Sequence, residues 1–365
     1  MPFASFYGNS EVVRRMREGL ARDRFPHGVI LTGPAGAGKY TLTLMMAQAM
    51  NCLASPKTDS MPDFCGVCAN CARIGLAGDL DSRFAEAVEA REALRETDKK
   101  ETRILVQTHP DVLVIPPDPP QMMVKVDQVR RVIQNIYFRP AEARERVYIF
   151  TSSAFMKEAA NSLLKILEEP PEFATIFLLA ENAGALLPTI RSRCVTFTLA
   201  PLATAAIESD LAQVRPDWTA PQRTLVARLS GGAVGRARGF DLASYTAARA
   251  NAIAVLSSAL DGSDHSALFK ITETYRAGAD GRDKTEQLLR TIYSLLQDLL
   301  WLLEGTPERL RNTDIAKDLG ALARKADFAW VQQAADRLAD VERGMRRNLL
   351  RSLSLDAFAT SLERA

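Results

Sequence analysis

The sequence has little that would direct the chain into a membrane or onto a polyanion. No apolar run among its 365 residues approaches the ~20 needed for a transmembrane helix. The first residues lack a basic stretch followed by an apolar one, so they do not resemble a secretory signal. The net charge is only +2, which gives no strong overall field. We expect a globular cytoplasmic protein without membrane contacts.

Cysteine is scarce, and four of the five cysteines fall in one segment. Cys52 is followed by Cys65, Cys68 and Cys71, the last three at Cys-x-x-Cys spacing. In a cytoplasmic chain this pattern favours a metal over disulfides, and four thiolates form a closed structural site. We predict structural Zn²⁺ on these four side chains, with free or redox-active thiols as the alternative. Cys194 stands alone and is predicted to be a packed residue rather than a nucleophile.

The run Gly33-Pro-Ala-Gly-Ala-Gly-Lys-Tyr-Thr41 is typical of a phosphate-binding loop. It lies between a short apolar strand and a helix-forming run, so its backbone N–H groups can face a phosphate at a helix N-terminus. Lys39 would reach the terminal phosphates of a nucleotide. We therefore predict a degenerate ATP or ADP site, with a simple glycine turn as the alternative. Its residues would be Gly33, Gly36, Gly38, Lys39 and Thr41.

The loop lacks the residues that usually hold magnesium. Tyr40 occupies the position of the usual Ser or Thr, and Thr41 follows one residue late, pointing about 100° away on a helix. The strand 147–150 continues into Thr151 and Ser152, where acidic residues would be expected. Phosphoryl transfer depends on positioning and charge stabilisation. We therefore expect little or no intrinsic hydrolysis and leave nucleotide binding open.

Hydrophobic patterns divide the chain into an α/β part and a helical part. Apolar strands alternate with helices as far as residue 180, which predicts a parallel sheet covered on both faces. From Leu202 onward only helices are predicted, and a leucine-rich stripe over 288–303 would lie in a core or face another subunit. The densely charged segment 79–103 is interpreted as a solvated helix or a mobile insertion. The predicted strands are 29–32, 112–115, 147–150 and 174–180.

Several motifs together resemble the bacterial AAA+ clamp-loader family. They are His27 before the P-loop strand, the cysteine cluster, His109-Pro-Asp111, the run Asn161–Pro171 ending in LEEPP, and Leu187–Cys194 ending in Ser-Arg-Cys. The likeness covers residues 1–200 well and the remainder only in architecture. It implies an α/β P-loop (RecA-like AAA+) domain at 1–200, a small helical lid at 201–241 and a C-terminal all-α collar at 242–365.

The resemblance also implies roles for single residues. Because it lacks the magnesium ligands, the chain is similar to the delta-prime stator branch rather than to the ATP-hydrolysing gamma/tau subunits. Glu181-Asn182 at the sensor position agrees with this. The family's Ser-Arg-Cys motif supplies an arginine finger to a neighbouring subunit, here Arg193, with Arg191 as the lesser candidate. A surface salt bridge is the alternative for Arg193. Arg236 falls where the lid places an arginine on nucleotide, or else it ends a solvated helix.

The expected function is that of a clamp-loader subunit of DNA polymerase III, without ATPase or polymerase activity of its own. Its partners would be the gamma/tau and delta subunits, with the sliding clamp and primer-template DNA contacted through the complex. One alternative is an active gamma/tau-like ATPase with displaced metal ligands, in which Thr41 or Asp111 would replace the missing groups, although their positions disfavour this. Another is a zinc-dependent nucleic-acid module using Lys57 and Arg73. The knuckle carries only Phe64 as an aromatic, which disfavours that module because stacking platforms need more.

Overall fold

A computed structural model describes residues 3–261, 266–274, 278–346 and 351–362. The chain folds as two compact units. The first holds Met1–Ala203 with Gly232–Arg236, and the second holds Thr204–Gly231 with Ala237–Ala365. The finer division into an α/β domain, a lid and a collar stays a prediction. Within the described residues, no helix combines the length and apolarity that a membrane span requires.

Among the described residues, the first unit contains all the strands and the second is helical. The strands are β1 (Gly28–Thr32), β2 (Lys57–Thr58), β3 (Met61–Pro62), β4 (Val106–His109), β5 (Val112–Ile115), β6 (Arg146–Phe150), β7 (Ala174–Ala180) and β8 (Val195–Thr198). The helices up to residue 191 are α1 (Ser10–Ala21), α2 (Lys39–Asn51), α3 (Ala69–Gly75), α4 (Leu80–Glu92), α5 (Glu96–Glu101), α6 (Val126–Ile136), α7 (Lys157–Glu168) and α8 (Pro188–Arg191). The later helices are α9 (Thr204–Val214), α10 (Ala220–Leu229), α11 (Val234–Arg238), α12 (Leu242–Asp261), α13 (Ser266–Glu273), α14 (Gly278–Leu303), α15 (Ala316–Ala323), α16 (Phe328–Arg346) and α17 (Arg351–Thr360).

Six strands form one sheet in the order β4-β5-β6-β7-β1-β8. All neighbours are parallel except β4, which runs antiparallel to β5 at the edge. β1 therefore lies inside the sheet, with Leu31 opposite Leu179 of β7 and Phe197 of β8. The order brings the carboxyl ends of β1, β7 and β6 to the same edge. The four predicted strands and the predicted α/β fold are confirmed, while β4, β8 and the short β2–β3 hairpin were not predicted.

Both faces of the sheet are covered by apolar side chains. Successive residues of a strand point to opposite faces, so Val29 and Leu31 pack in one core while Ile30 packs in the other. Residues of α1, α2 and α3 complete the first core, and residues of α6 and α7 complete the second. All seven residues of β7 are buried, as expected for a strand in the middle of a two-sided sheet. This rigid layer positions the loops at its carboxyl edge.

The predicted leucine-rich stripe lies in the core of the helical unit. Leu288, Ile292, Leu295 and Leu299 of α14 are buried and pack in one cluster with residues of α12, α15, α16 and α17. The sequence left open whether this stripe faces a core or another subunit, and the structure assigns it to the core. Trp330 and Leu338 of α16 belong to the same cluster.

A buried polar network joins α12 to α14 within this apolar cluster. The carboxylate of Asp298 accepts hydrogen bonds from the backbone N–H groups of Arg311 and Asn312 at 2.8 and 2.9 Å, and from Nδ2 of Asn312 at 2.8 Å. Oδ1 of Asn312 accepts bonds from the hydroxyl of Tyr245 at 2.7 Å and from Nη1 of Arg249 at 3.0 Å. Asp298 and Asn312 are fully buried, so these bonds replace water for both side chains.

Candidate functional site

The predicted phosphate-binding loop connects β1 to α2, which begins at Lys39. Gly33 has a φ of +142°, and a Cβ added there would lie 2.5 Å from the carbonyl oxygen of Leu199. Gly36 has a φ of +79°, and a Cβ there would lie 2.8 Å from the backbone nitrogen of Arg236. Only glycine fits either place without strain. The glycines therefore shape this loop as a phosphate cradle requires.

Lys39 lies against the loop that it follows. Its Nζ donates to the carbonyl oxygens of Gly33 at 2.6 Å and Pro34 at 2.8 Å. Burial lowers the pKa of this ammonium group, and the nearby carboxylate of Glu181 opposes the shift. The side chain is thus held against the loop, and its role toward a phosphate stays a prediction.

The residues at the usual metal-binding positions make other contacts. The hydroxyl of Tyr40 donates a 2.6 Å hydrogen bond to the carbonyl oxygen of Ala77, and burial raises its pKa. Thr41 is exposed and lines the same cleft as Thr151, which follows β6. A neutral tyrosine engaged with a backbone carbonyl does not ligate Mg²⁺, and Thr151 brings no negative charge. The loop fits a phosphate, whereas these two positions do not fit a magnesium-bound triphosphate.

The cleft beside the loop has a volume of about 550 Å³. Its walls come from the loop and first turn of α2, the segment after β5, the ends of β6 and β7, Gly235, and the first turns of α4. The charged segment 79–103 was interpreted as a solvated helix or a mobile insertion, and it forms helices α4 and α5. The residues of α4 and of the segment after β5 in the cleft are Leu80, Asp81, Phe84, Pro116, Pro117 and Met122.

The sensor and lid positions make backbone contacts. Oδ1 of Asn182 accepts a 2.8 Å hydrogen bond from the N–H of Gly184, which caps a short turn. The N–H of Gly235 donates to the carbonyl oxygen of Gly36 at 2.8 Å, so this segment packs directly on the phosphate-binding loop. Gly235 lines the cleft, whereas the side chain of Arg236 is exposed. The role of Arg236 toward a nucleotide stays a prediction.

The four predicted metal ligands come together. The Sγ atoms of Cys52, Cys65, Cys68 and Cys71 all lie within 4.8 Å of one another. Cys52 follows α2, Cys71 lies in α3, and both are buried. The N–H of Cys65 donates to Sγ of Cys52 at 3.3 Å, and the N–H of Cys68 donates to Sγ of Cys65 at 3.2 Å. Tetrahedral zinc with bonds of about 2.3 Å requires four thiolates around one centre, and this set fits it.

The cysteines of the cluster differ in their electrostatics, since burial raises the pKa of Cys71 whereas the pKa of Cys68 is lowered. Burial opposes ionisation of Cys68, but N–H groups of Cys71 and Leu53 and the neighbouring thiols lower its pKa to about 6. Cys194 lies outside the cluster, and burial raises its pKa to about 12. A thiol with so high a pKa is a poor nucleophile. This agrees with the prediction that Cys194 is a packed residue.

Arg193 lies at the opposite end of β1 from the phosphate-binding loop. A Cβ added to Gly28, the first residue of β1, would lie 3.2 Å from the carbonyl oxygen of Arg193. β1 is five residues long, so at ~3.3 Å per residue it separates the backbone of Arg193 from Gly33 by about 16 Å. Nη2 of Arg193 lies 2.6 Å from Oε1 of Glu168, and its side chain is one-third exposed. Arg193 therefore lies too far away to act on this chain's own cleft.

Sequence reasoning missed two parts of this arrangement. The motif of Glu168 was recognised, but nothing in its spacing showed that its carboxylate pairs with Arg193. The contribution of Leu80, Asp81 and Phe84 to the cleft was also missed, because charge density dominates that segment. The apolar pair Leu80 and Phe84, one helical turn apart, was the available signal.

Comparison with known families now places the chain. Residues 8–203, more than half of the chain, match the family described as DNA polymerase III, delta subunit. The chain belongs to this DNA polymerase III delta subunit family.

Curated relatives agree with this placement. The chain is 30% identical over 214 residues to the DNA polymerase III subunit delta' of Pseudomonas aeruginosa, covering 58% of this chain and 54% of that protein. It is 28% identical over 201 residues to the delta' subunit of Bacillus subtilis, covering 55% and 50% of the two chains. It is also 28% identical over 213 residues to the subunit tau of Escherichia coli K12, covering 58% and 27%. The matched parts thus span about a quarter to a half of these relatives.

Among solved structures, the chain is similar to a gamma subunit-related protein of DNA polymerase III from Thermotoga maritima. The two are 16% identical with a TM-score of 0.48, over 95% of this chain and 98% of that one.

Proposed function

We propose that this chain is the delta-prime stator of a DNA polymerase III clamp loader. In this role it does not hydrolyse ATP and lends Arg193 to the ATP site of a neighbouring gamma/tau subunit. The loader would place a sliding clamp on primer-template DNA. The family membership supports the assembly, since relatives named delta', gamma and tau all match.

The observation that carries the non-hydrolysing role is the contact of Tyr40. Its hydroxyl is bonded to the carbonyl oxygen of Ala77, at the position where a P-loop enzyme needs a hydroxyl on Mg²⁺. Thr151 replaces the acid on the other side of the same cleft. Without these groups, a bound nucleotide would have neither its metal nor an oriented water. Intrinsic turnover should therefore be negligible.

The position of Arg193 supports a role toward another subunit. It lies at the amino end of β1, away from this chain's own cleft, and its guanidinium is partly exposed. An arginine placed on a transferring phosphoryl group stabilises its charge, an effect worth roughly 10³–10⁵ in rate. The loss of the chain's own metal ligands leaves such a role unaffected.

The cysteine cluster would hold one structural zinc ion in this proposal. Cys52, Cys65, Cys68 and Cys71 would be its ligands and would join the end of α2 to α3. With all four positions taken by protein, the ion would supply stability rather than a reactive site.

An active gamma/tau-like ATPase is the second candidate, because Thr41 lines the cleft and could hold a displaced metal. Asp111, the other candidate ligand, is buried and accepts hydrogen bonds from the backbone N–H groups of residues 141–143. ATP hydrolysis by the purified chain decides between the two. The stator predicts no turnover alone, and strong dependence of a loader of gamma/tau, delta, clamp and primed DNA on this chain. Robust turnover alone that Lys39→Ala abolishes would establish the ATPase instead.

Arg193→Ala tests the finger in the reconstituted loader. We expect turnover at the one neighbouring ATP site to fall by roughly 10³-fold or more, while the isolated chain keeps its melting temperature. Arg191→Ala, two residues earlier, is the matched control and should leave turnover unchanged. Equal turnover with Arg193→Ala and the native chain would remove Arg193 from this role.

A further inference from the structure

Helix α4 covers one side of the cleft next to the phosphate-binding loop. Leu80, Asp81 and Phe84 of its first turns line the cleft together with Tyr40 and Thr151. Those two positions adjoin the terminal phosphate and the metal in a P-loop nucleotide site. The part of α4 that enters the cleft therefore lies at the end where a triphosphate differs from a diphosphate.

The start of α4 is fixed by a contact with the P-loop helix. Tyr40 of α2 donates its 2.6 Å hydrogen bond to Ala77, three residues before α4 begins. The oxygen of Asp79 then accepts a 3.2 Å hydrogen bond from the N–H of Ser82 and caps the helix. The residue that replaces the metal ligand is thus the same residue that holds the entry to α4.

The far end of α4 is fixed by a buried ion pair. Nη1 of Arg91 lies 3.2 Å from Oδ1 of Asp118, and both side chains are buried. Asp118 also accepts a 2.9 Å hydrogen bond from the N–H of Ile104 and lies 2.9 Å from Nζ of Lys125. A buried carboxylate held by two cations and a backbone N–H keeps its partners in place, because losing one would leave charge unpaired. Contacts near both ends therefore hold α4 beside the cleft.

The side chains that α4 presents are unsuited to a metal-bound triphosphate. Among the described residues that line the cleft, Asp81 carries the one carboxylate. Because Tyr40 and Thr151 do not hold Mg²⁺ in the cleft, this carboxylate would face the negative charge of the phosphates directly. Leu80 and Phe84 are apolar and offer no hydrogen bond to phosphate oxygens or to the water shell of Mg²⁺. Taking such charged groups out of water without partners is costly. Both the charge and the apolar surface thus act against a triphosphate.

We propose that α4 excludes magnesium-bound nucleoside triphosphate from this cleft, with Asp81 and Phe84 as the residues that determine this selectivity. The proposal takes from the proposed function only that the cleft belongs to a nucleotide site. Tyr40 and α4 act together. The tyrosine stands in place of a metal ligand, and its hydrogen bond to Ala77 anchors the helix that lies beside the cleft. The charged segment 79–103 thereby has a role in ligand selection.

Calorimetric titration of the purified full-length chain with MgATP tests this directly. The variants are Asp81→Asn, Phe84→Ala and the two combined, with Glu89→Gln on the exposed side of α4 as the charge-matched control. We expect the double variant to bind MgATP at least about tenfold more tightly than the native chain, a gain of about 1.4 kcal/mol. Glu89→Gln should bind like the native chain. Lys39→Ala added to the double variant should abolish the gain.

Two results would overturn the proposal. One is a folded double variant that binds MgATP no more tightly than the native chain. The other is weaker binding of MgATP to Asp81→Asn, which would make Asp81 a metal ligand instead of a repelling charge. Asp81→Asn, which barely changes volume, decides the question if the Phe84 change prevents folding.

The outcome is separable from that of the proposed function. ATP hydrolysis by the native chain alone would contradict the stator, whereas these titrations measure affinity with or without turnover.

Discussion

Arg193 and Glu168 form an ion pair, with Nη2 of the arginine 2.6 Å from Oε1 of the glutamate. Glu168 is the last residue of α7, and Arg193 comes just before β8. Nη1 of Arg193 also donates to the carbonyl oxygen of Thr189 at 2.9 Å. Both side chains are partly exposed, so solvent screens the pair and it contributes at most about 1 kcal/mol. So weak an ion pair costs little free energy to break.

Glu168→Gln should therefore change the proposed finger more than the fold. We expect the melting temperature of the isolated chain to stay within about 2 °C of the native value. In a reconstituted loader, ATP turnover should rise by up to about fivefold, since the arginine no longer leaves an ion pair to reach its target. Steady-state ATP hydrolysis measures this. Glu158→Gln, at the exposed start of α7, is the control. A fall in turnover would show that Glu168 holds Arg193 in its working position.

Removal of one cluster thiol should remove the metal. Cys71 is one of the two buried cysteines of the cluster. In the Cys71→Ser variant we expect bound zinc to fall from about one ion per chain to near zero. The melting temperature should fall by 5 °C or more, because α2 and α3 lose their link. Cys194→Ser, outside the cluster, should keep full zinc content. Metal analysis by mass spectrometry and thermal unfolding measure both effects, and unchanged zinc in Cys71→Ser would disprove the site.

Glu145 should make stability depend on pH. It precedes β6, and its Oε2 accepts a 3.1 Å hydrogen bond from the hydroxyl of Thr175. Burial raises the pKa of this carboxyl, although Thr175, His27 and Arg144 act in the opposite direction. The folded state therefore holds the proton more tightly than the unfolded state, whose glutamate pKa is about 4.3. The contribution of protonated Glu145 to the free energy of unfolding is therefore complete below that pH, and it is lost as the pH rises through the pKa of the folded state.

Glu145→Gln should remove this loss, because a neutral amide keeps the bond to Thr175 without ionising. We expect the variant to melt about 2 °C above the native chain at pH 8, and to show no such gain near pH 4. Thermal unfolding across this range, with exposed Glu158→Gln as control, makes the comparison. A lower melting temperature of Glu145→Gln at pH 8 would mean that the ionised carboxylate is stabilised by His27 and Arg144.

The parts of the fold that follow from local pattern could be predicted from the sequence. β1, β5, β6 and β7 are apolar runs buried on both faces, so their composition identifies them. The cysteine cluster was predictable because three of its ligands follow one another at Cys-x-x-Cys spacing. Strands β4 and β8 were missed because each lies at an edge of the sheet and carries polar or exposed residues. An edge strand needs no continuous apolar run.

The parts of the site that depend on distant contacts could not be predicted. The pairing of Arg91 with Asp118 joins residues 27 positions apart, and the bond of Tyr40 to Ala77 joins residues 37 positions apart. In neither pair does the local sequence around one residue indicate which residue is its partner. The segment 79–103 was therefore interpreted by its charge alone, although two long-range contacts fix its first helix beside the cleft.

The polar network around Asn312 determines how the helical unit can be assembled. Leucine-rich faces look much the same from one turn to the next, so apolar packing alone would tolerate a slip of α12 along α14 by one turn, about 5.4 Å. Tyr245 and Arg249 lie one turn apart on α12, so such a slip would move one of them away from Asn312, which now bonds both. Each buried group left without a partner costs about 1–3 kcal/mol. The network therefore favours one register of α12 along α14 among several that the apolar faces alone would accept.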